Sequence, residues 1–266
     1  MKEVPQVIDA SKKCVPLEIA IEKNPVLKSY LIRHNPPRLD LGSTIALQEY
    51  NKTILQIKTR LRLSLPEGFL IPSVCLRLTF LDVILTKSSR VLEIGTGASA
   101  IMGMIAIRNF NCKVVGTERN PISIKAAQRN ITQNNLSDRF ELVDSEGQIL
   151  LGLPKSLGKF DLIFSYPPQY SYSEGEKFAK KERGFQGVIS ELGWGENGVN
   201  FACRLVQEVP KTSFLNKNGK IALLLLNKDS LQEVREVMKE NGFHHSSIKI
   251  IAGSRKRFIL IGEFSE

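Results

Sequence analysis

Two short stretches carry residues whose types and spacing suit chemistry. The first is Phe164-Ser165-Tyr166-Pro167-Pro168-Gln169-Tyr170, with two prolines straight after an apolar run. Proline fixes its own φ and restricts the residue before it, so this turn is extended, rigid and aims its carbonyls in set directions. A carbonyl and a side-chain oxygen held that way can accept both N–H bonds of an exocyclic amine on a base. Such an amine is a poor nucleophile because its lone pair is delocalised, and acceptors on its protons favour a more pyramidal nitrogen. Pro167 is expected to supply the principal acceptor carbonyl, and the ring of Tyr166 or Tyr170 the face on which a base stacks. Tyr166, Pro167, Pro168 and Gln169 are therefore the candidate catalytic residues. The second stretch, Val91-Leu92-Glu93-Ile94-Gly95-Thr96-Gly97-Ala98-Ser99, runs from an apolar strand into a glycine turn and then a helix. Gly95 and Gly97 permit backbone geometry closed to other residues and let a ligand approach the chain closely.

Other positions gain meaning from the elements that hold them. Strand-like runs at Val91–Ile94, Val114–Thr117, Phe140–Val143, Leu162–Ser165, Ile221–Leu226, Ile248–Ala252 and Phe258–Gly262 alternate with helical patterns over Ser99–Asn109, Ile122–Asn134, Phe201–Lys211 and Leu231–Asn241. Such β-α-β alternation predicts an α/β fold with a parallel sheet covered on both faces. The last two runs are separated only by the turn at Gly253-Ser254, so they form a hairpin with one antiparallel strand. In this frame Glu118 closes the second strand, where an acid can accept hydrogen bonds from both ribose hydroxyls. Asp144 closes the third and either holds an adenine amino group or caps the turn Asp-Ser-Glu-Gly. Residues 1–85 read differently. Prolines 5, 16, 25, 36 and 37 keep segments short, and the best helix spans Ser43–Arg62, with Ile45, Leu47, Ile54, Leu55 and Ile57 as its apolar face. Lys52, Lys58, Arg60 and Arg62 make its end basic, as a solvated face or a phosphate-binding one. The expected organisation is an accessory, mainly helical element over 1–85 and a catalytic domain over 86–266.

Composition narrows the function classes. The 266 residues carry 37 Lys+Arg against 27 Asp+Glu, a formal net charge of +10, which favours encounter with polyanions. No apolar run approaches the ~20 residues of a membrane span, and no secretory signal pattern is visible, so a cytoplasmic protein without a membrane partner is expected. The four cysteines, Cys14, Cys75, Cys112 and Cys203, are far apart in sequence and the three histidines lack ligand spacing. Neither a metal site nor a disulfide scaffold is expected, and His244-His245 is expected in a surface turn. The stretch from Tyr170 to Gly198 lacks helical periodicity and is expected to be a substrate-binding loop, with Tyr170, Lys180, Lys181 and Arg183 as contacts.

Three segments together carry a family resemblance: Leu70-Ile71-Pro72-Ser73-Val74-Cys75-Leu76-Arg77-Leu78-Thr79-Phe80, the glycine turn Ile94–Ser99, and Gln133-Asn134-Asn135-Leu136-Ser137-Asp138. From about Leu39 to its C-terminus the chain resembles the RlmF-type (methyltransferase-10 family) adenine-N6 methyltransferases of ribosomal RNA and their small-nuclear-RNA relatives. The resemblance implies a class I methyltransferase fold, Rossmann-like with seven strands and an antiparallel C-terminal hairpin. It implies S-adenosyl-L-methionine as cofactor, held by Arg77, Glu93, Gly95, Thr96, Gly97, Glu118 and Asp144. Glu93 matters most here, because a dinucleotide enzyme normally has an apolar residue two positions before the first glycine. The implied substrate is a structured RNA, large-subunit rRNA foremost. The family has Asn-Pro-Pro-Phe where this chain has Tyr166-Pro167-Pro168-Gln169, and a proline where Cys75 stands. Two alternatives accompany this reading: methylation of a protein glutamine amide, and an RNA-binding protein that keeps the fold without catalysis.

Overall fold

A computed structural model describes residues 6–179, 187–195 and 198–264. The chain opens with a short strand, β1 (Val7–Asp9), followed by helix α1 (Leu17–Lys23), a small hairpin of β2 (Leu31–His34) and β3 (Pro37–Leu39), and helices α2 (Thr44–Thr59) and α3 (Val74–Ile84). Ser43 caps α2, its hydroxyl accepting from Ala46 N at 3.3 Å, and Arg60 ends it in the left-handed region at φ 60°. Its inward face is Ala46, Thr53, Ile54 and Leu55, whereas Ile45, expected on the apolar face, is 58% exposed. Ala20, Leu27, Leu39 and Ala46 make a small core of their own. Ile54 and Leu55, with much of α3, join the main one. Helix α3 is apolar on nearly every side and accordingly buried. Asn51 of α2 caps it from outside, accepting from Val74 N at 3.0 Å. Phe80 of α3 meets Phe164 edge-on, with centroids 6.3 Å apart. Burying each such ring contributes ~2–3 kcal/mol and ties α3, with Arg77, to the strand before the double-proline turn.

The remaining elements run β4 (Arg90–Ile94), α4 (Ile101–Phe110), β5 (Lys113–Glu118), α5 (Pro121–Gln133), β6 (Phe140–Asp144), β7 (Phe160–Ser165), α6 (Tyr172–Ala179), α7 (Ile189–Leu192), α8 (Asn200–Glu208), β8 (Leu215–Leu225), α9 (Lys228–Glu240), β9 (Phe243–Ala252) and β10 (Arg255–Phe264). The sheet order is β1-β9-β10-β8-β7-β4-β5-β6. From β6 through β8 every pairing is parallel, and β10 is antiparallel to both β8 and β9. The seven-stranded frame and its C-terminal hairpin are as expected from the alternation. Asn120 followed by Pro121 starts α5 as expected for a capped helix, with Asn120 Oδ1 accepting from Ile122 N and Ser123 N.

Four features depart from the sequence reading. An eighth strand, β1, adds to the sheet edge parallel to β9; three residues are too few for a period to declare itself. Cys14 and Cys75, 61 residues apart, form a disulfide, because β1 brings the turn after it against the first turn of α3. The expectation of no disulfide equated distance in sequence with distance in space. Residues 172–179 and 189–192, expected as loop, are helical, and His244 and His245 lie within β9 rather than in a turn.

Candidate active site

A parallel sheet places the C-terminal ends of its strands at one edge, and ligands bind where the order of connection reverses. Here the chain moves from β4 out to β5 and β6, then returns to β7 on the other side of β4. The glycine turn follows β4 and the double-proline turn follows β7, so the two motifs flank the reversal point. Ser165, at the last position of β7, donates its hydroxyl to the Ile94 carbonyl at 2.7 Å and fixes the spacing of the strand ends.

On the glycine side, Gly95 and Gly97 have φ of 76° and 66°, where a Cβ is penalised. Gly95 N and Thr96 N donate to the Thr117 carbonyl, and Glu118 Oε2 accepts from Gly97 N at 2.9 Å. The other Glu118 oxygen accepts from Arg119 N and Asn120 N. Asn130, fully buried on α5, donates to the carbonyls of Ser64, Ala98 and Ser99 and accepts from Ser64 N. It thus holds the turn from behind and ties it to the chain entering from α2. Asn134, one turn later, binds both backbone groups of Arg62. Glu93 is 1% exposed, its carboxylate beneath the turn accepting from Gly103 N at 3.1 Å. Burial pushes this carboxyl up to about 8, against the opposing pull of the Gly103 N–H and of Arg77. Arg77 is buried as well, which lowers its pKa, while Tyr166, Glu93 and Glu191 act to raise it. The Thr96 hydroxyl is buried without a hydrogen-bond partner among the described residues and points towards Gly116, so Thr96 serves the turn through its backbone. Asp144 is exposed and its Oδ1 accepts from Glu146 N at 2.9 Å, the turn cap of its two expected roles.

On the proline side, Tyr166 stands between two arginines. The Arg77 guanidinium lies 5.2 Å from its ring centre, and Arg257 Nε of β10 donates to its hydroxyl at 3.3 Å. Gln169 turns away from this space. Its Nε2 donates to the Pro167 carbonyl at 2.8 Å and its Oε1 accepts from Leu226 N at 2.8 Å, bracing the turn against the end of β8. Gln169 N and Tyr170 N both donate to the Leu192 carbonyl, and Trp194 N donates to the Tyr170 carbonyl. The segment carrying α7 is therefore mounted on the double-proline turn. From there Glu191 reaches back to the glycine side, accepting from Leu70 N at 2.8 Å, and Ser190 binds Asn120 Nδ2. Burial pushes the Glu191 carboxyl up to about 7.

One cleft joins the two sides. Its lining includes Arg77, Glu93, Gly95, Glu118, Tyr166 and Pro168. Thr96 and Gly97 line it too; Asp144, Pro167, Gln169 and Tyr170 do not, although Ser145, next to Asp144, does. Lys180, Lys181 and Arg183 fall outside the described residues. Sequence reasoning missed Glu191, Arg257 and the brace Asn130. Each acts through contacts at long sequence separation, and the one local signal was a polar residue, Asn130, on the inward side of α5.

The strand order, the antiparallel hairpin and a cleft running from glycine turn to double-proline turn define a class I methyltransferase. The chain belongs to the RNA methyltransferase family, whose model matches residues 11–261. It is similar to a putative methyltransferase of Methanocaldococcus jannaschii, 32% identical over 92% of this chain and 97% of that protein. It is also similar to the U6 small nuclear RNA (adenine-(43)-N(6))-methyltransferase of Schizosaccharomyces pombe, 27% identical over 85% of this chain and 62% of that protein. Among solved structures, the human METTL16 catalytic domain in complex with a MAT2A 3′UTR hairpin aligns with a TM-score of 0.83. That alignment covers 96% of this chain and 93% of the other at 23% identity. The N-terminal domain of the same human protein in complex with SAH aligns at 0.77, covering 98% and 100%, with 21% identity. Among the described residues no helix is long and apolar enough to cross a membrane.

Proposed function

We propose that this methyltransferase transfers a methyl group from S-adenosyl-L-methionine to the N6 amine of an adenine in a structured RNA, with large-subunit ribosomal RNA as the first candidate. The observation that carries the reading is the continuity of the cleft: the glycine turn and the double-proline turn, through Tyr166 and Pro168, share one wall. The residues fit such a cofactor. A Cβ at Gly95 would meet nothing within 4 Å, so the turn is open to a ligand. Glu118 is set for the ribose hydroxyls, Arg77 and Glu93 for the charged methionine end, and Ser145 with Gly147 for the base. S-adenosylmethionine supplies an electrophilic methyl group; the chain supplies placement. The Pro167 carbonyl accepts from Gln169 behind the cleft wall, so the turn meets a substrate through Tyr166 and Pro168. Arg257 holds the Tyr166 phenol and Arg77 lies over its ring, which fixes the aromatic side chain of the turn that lines the cleft as the stacking partner for a base. Basic residues support an RNA partner. Arg255 and Lys256 are exposed at the hairpin tip beside Arg257, and Lys23, Arg60 and Arg62 line a groove between α1 and the end of α2. In this reading the first 85 residues are the accessory RNA-binding element.

The test is transfer of labelled methyl from S-adenosylmethionine to total RNA from a strain lacking the gene, followed by nucleoside mass spectrometry. N6-methyladenosine in the recovered RNA is expected. Label that survives ribonuclease but not protease would move the acceptor to a protein amide, and cofactor binding without any transfer would leave a binding protein.

A further inference from the structure

Glu191 reaches into the cleft from a segment that shows no pattern in the sequence. Glu93 lies beneath the glycine turn and Glu118 at its ribose side, each fixed by backbone donors. Glu191 approaches from the remaining side: Oε2 accepts from Leu70 N, and Oε1 lies 3.7 Å from where a Cβ on Gly97 would stand. The cleft therefore gathers three carboxylates. Two guanidiniums also line it, but Arg119 is exposed and the buried Arg77 is shared between Glu93, Glu191 and the Tyr166 ring, so the acids outnumber the buried cation. Carboxylates drawn together out of water repel one another and resist ionisation unless a cation joins them; burial, with Glu118 nearby, raises Glu191 to about 7. A sulfonium supplies such a cation, and the thioether that remains after methyl transfer does not.

We propose that Glu191 is a cofactor-contacting residue that favours the positively charged methyl donor over its neutral spent form. The inference rests on S-adenosylmethionine being the cofactor. It gives the site a means of exchanging product for donor without a change in shape. The Leu192 carbonyl, on the next residue, accepts from Gln169 N and Tyr170 N, so the residue that distinguishes the two ligands is mounted on the double-proline turn.

Isothermal titration of the full chain with S-adenosylmethionine and with S-adenosylhomocysteine, at pH 8, compares the wild type with Glu191→Gln, which keeps an acceptor for Leu70 N. The variant is expected to bind the methyl donor about tenfold more weakly, the size of one charge-assisted contact, and the spent form within about twofold of wild type. In turnover its KM for the donor rises while kcat is largely kept, and inhibition by S-adenosylhomocysteine becomes stronger relative to KM. Equal loss of affinity for both ligands, or no loss for either, overturns the proposal. Tighter binding of both would make Glu191 a plug that competes with the cofactor, which also overturns it. A wild-type chain that binds neither ligand overturns the cofactor reading itself, and the role of Glu191 with it.

Discussion

Replacing Glu93 with glutamine tests how the cleft is charged before any ligand arrives. The carboxyl has one backbone donor, Gly103 N at 3.1 Å, and burial moves it from an ordinary value of 4.5 up to about 8. At neutral pH it is protonated in the folded protein and ionised in the unfolded chain. A group raised in this way binds more protons folded than unfolded, so its contribution to stability is intact below pH 4.5 and is lost progressively as pH rises through 8. Each pH unit across that span is worth ~1.4 kcal/mol, which sets a ceiling of ~5 kcal/mol. Relaxation and water access around a buried charge reduce this to ~2–3 kcal/mol. At ~2.1 cal/mol/K per residue, a chain of this length has a melting entropy of ~0.56 kcal/mol/K, so the loss appears as ~4–5 °C. Glu191, raised to about 7, adds a slope of the same sign, which partial exposure keeps small. Glutamine keeps the shape and the acceptor for Gly103 N but cannot ionise. Thermal unfolding followed by circular dichroism from pH 5.5 to 8.5 at constant ionic strength covers about two thirds of that span and should therefore show the wild-type Tm falling ~3 °C further than that of Glu93→Gln. The variant should be the more stable protein at the alkaline end. Parallel curves for the two proteins would refute the reasoning, since they would mean Glu93 titrates alike folded and unfolded.

The Cys14–Cys75 bridge closes a loop of 61 residues, so the chain-entropy account gives it ~2–4 kcal/mol. Reductant should lower Tm by ~4–7 °C, Cys14→Ser/Cys75→Ser should show the same loss without reductant, and thiol titration in denaturant should find only Cys112 and Cys203 free. At Gly198, a Cβ would collide with the Gln169 carbonyl and stand 2.6 Å from Tyr170 N. Gly198→Ala must then shift the double-proline turn. It should lower kcat by ~10–100-fold, the penalty of misplacing reacting groups by about an ångström, with affinity for S-adenosylhomocysteine nearly unchanged; unchanged kcat would show that the turn tolerates the shift.

What the sequence made legible follows one physical rule: periodic burial is visible and long-range pairing is not. The run Val91–Ile94, the glycines after it and the helix beyond are local, so the glycine turn could be read together with the acids that close neighbouring strands. Glu118 and Glu93 stand in the cleft for that reason. The short helix of α7 has four residues and no period; it is held in place by the Leu192 carbonyl and the Glu191 carboxylate, whose partners lie 22 to 121 residues away. Nothing local could have announced it. The disulfide is similar, but it left a trace. Cys75 stands where the resembling family has proline, a departure that gains its meaning only once Cys14 is found beside it. Ile45 failed for the opposite reason, since its helical spacing was sound but the neighbour needed to cover it was absent.

The departures at Tyr166 and Gln169 are best understood as a pair. The resembling family places an amide before the two prolines and an aromatic ring after them; this chain places the ring before and the amide after. Its amide faces the sheet, where Gln169 donates to the Pro167 carbonyl and accepts from Leu226 N. An aromatic residue at 169 could make neither bond, and an asparagine at 166 would leave Arg77 without a ring to stack on and Arg257 without its phenol partner. Changing either position alone to the family's residue therefore removes support from the turn. The proposed reaction calls for a ring for the base and a rigid turn, and both are kept with the order reversed. That exchange keeps an aromatic side chain, Tyr166, at the cleft wall between Arg77 and Arg257, while Pro167 stays buried behind it.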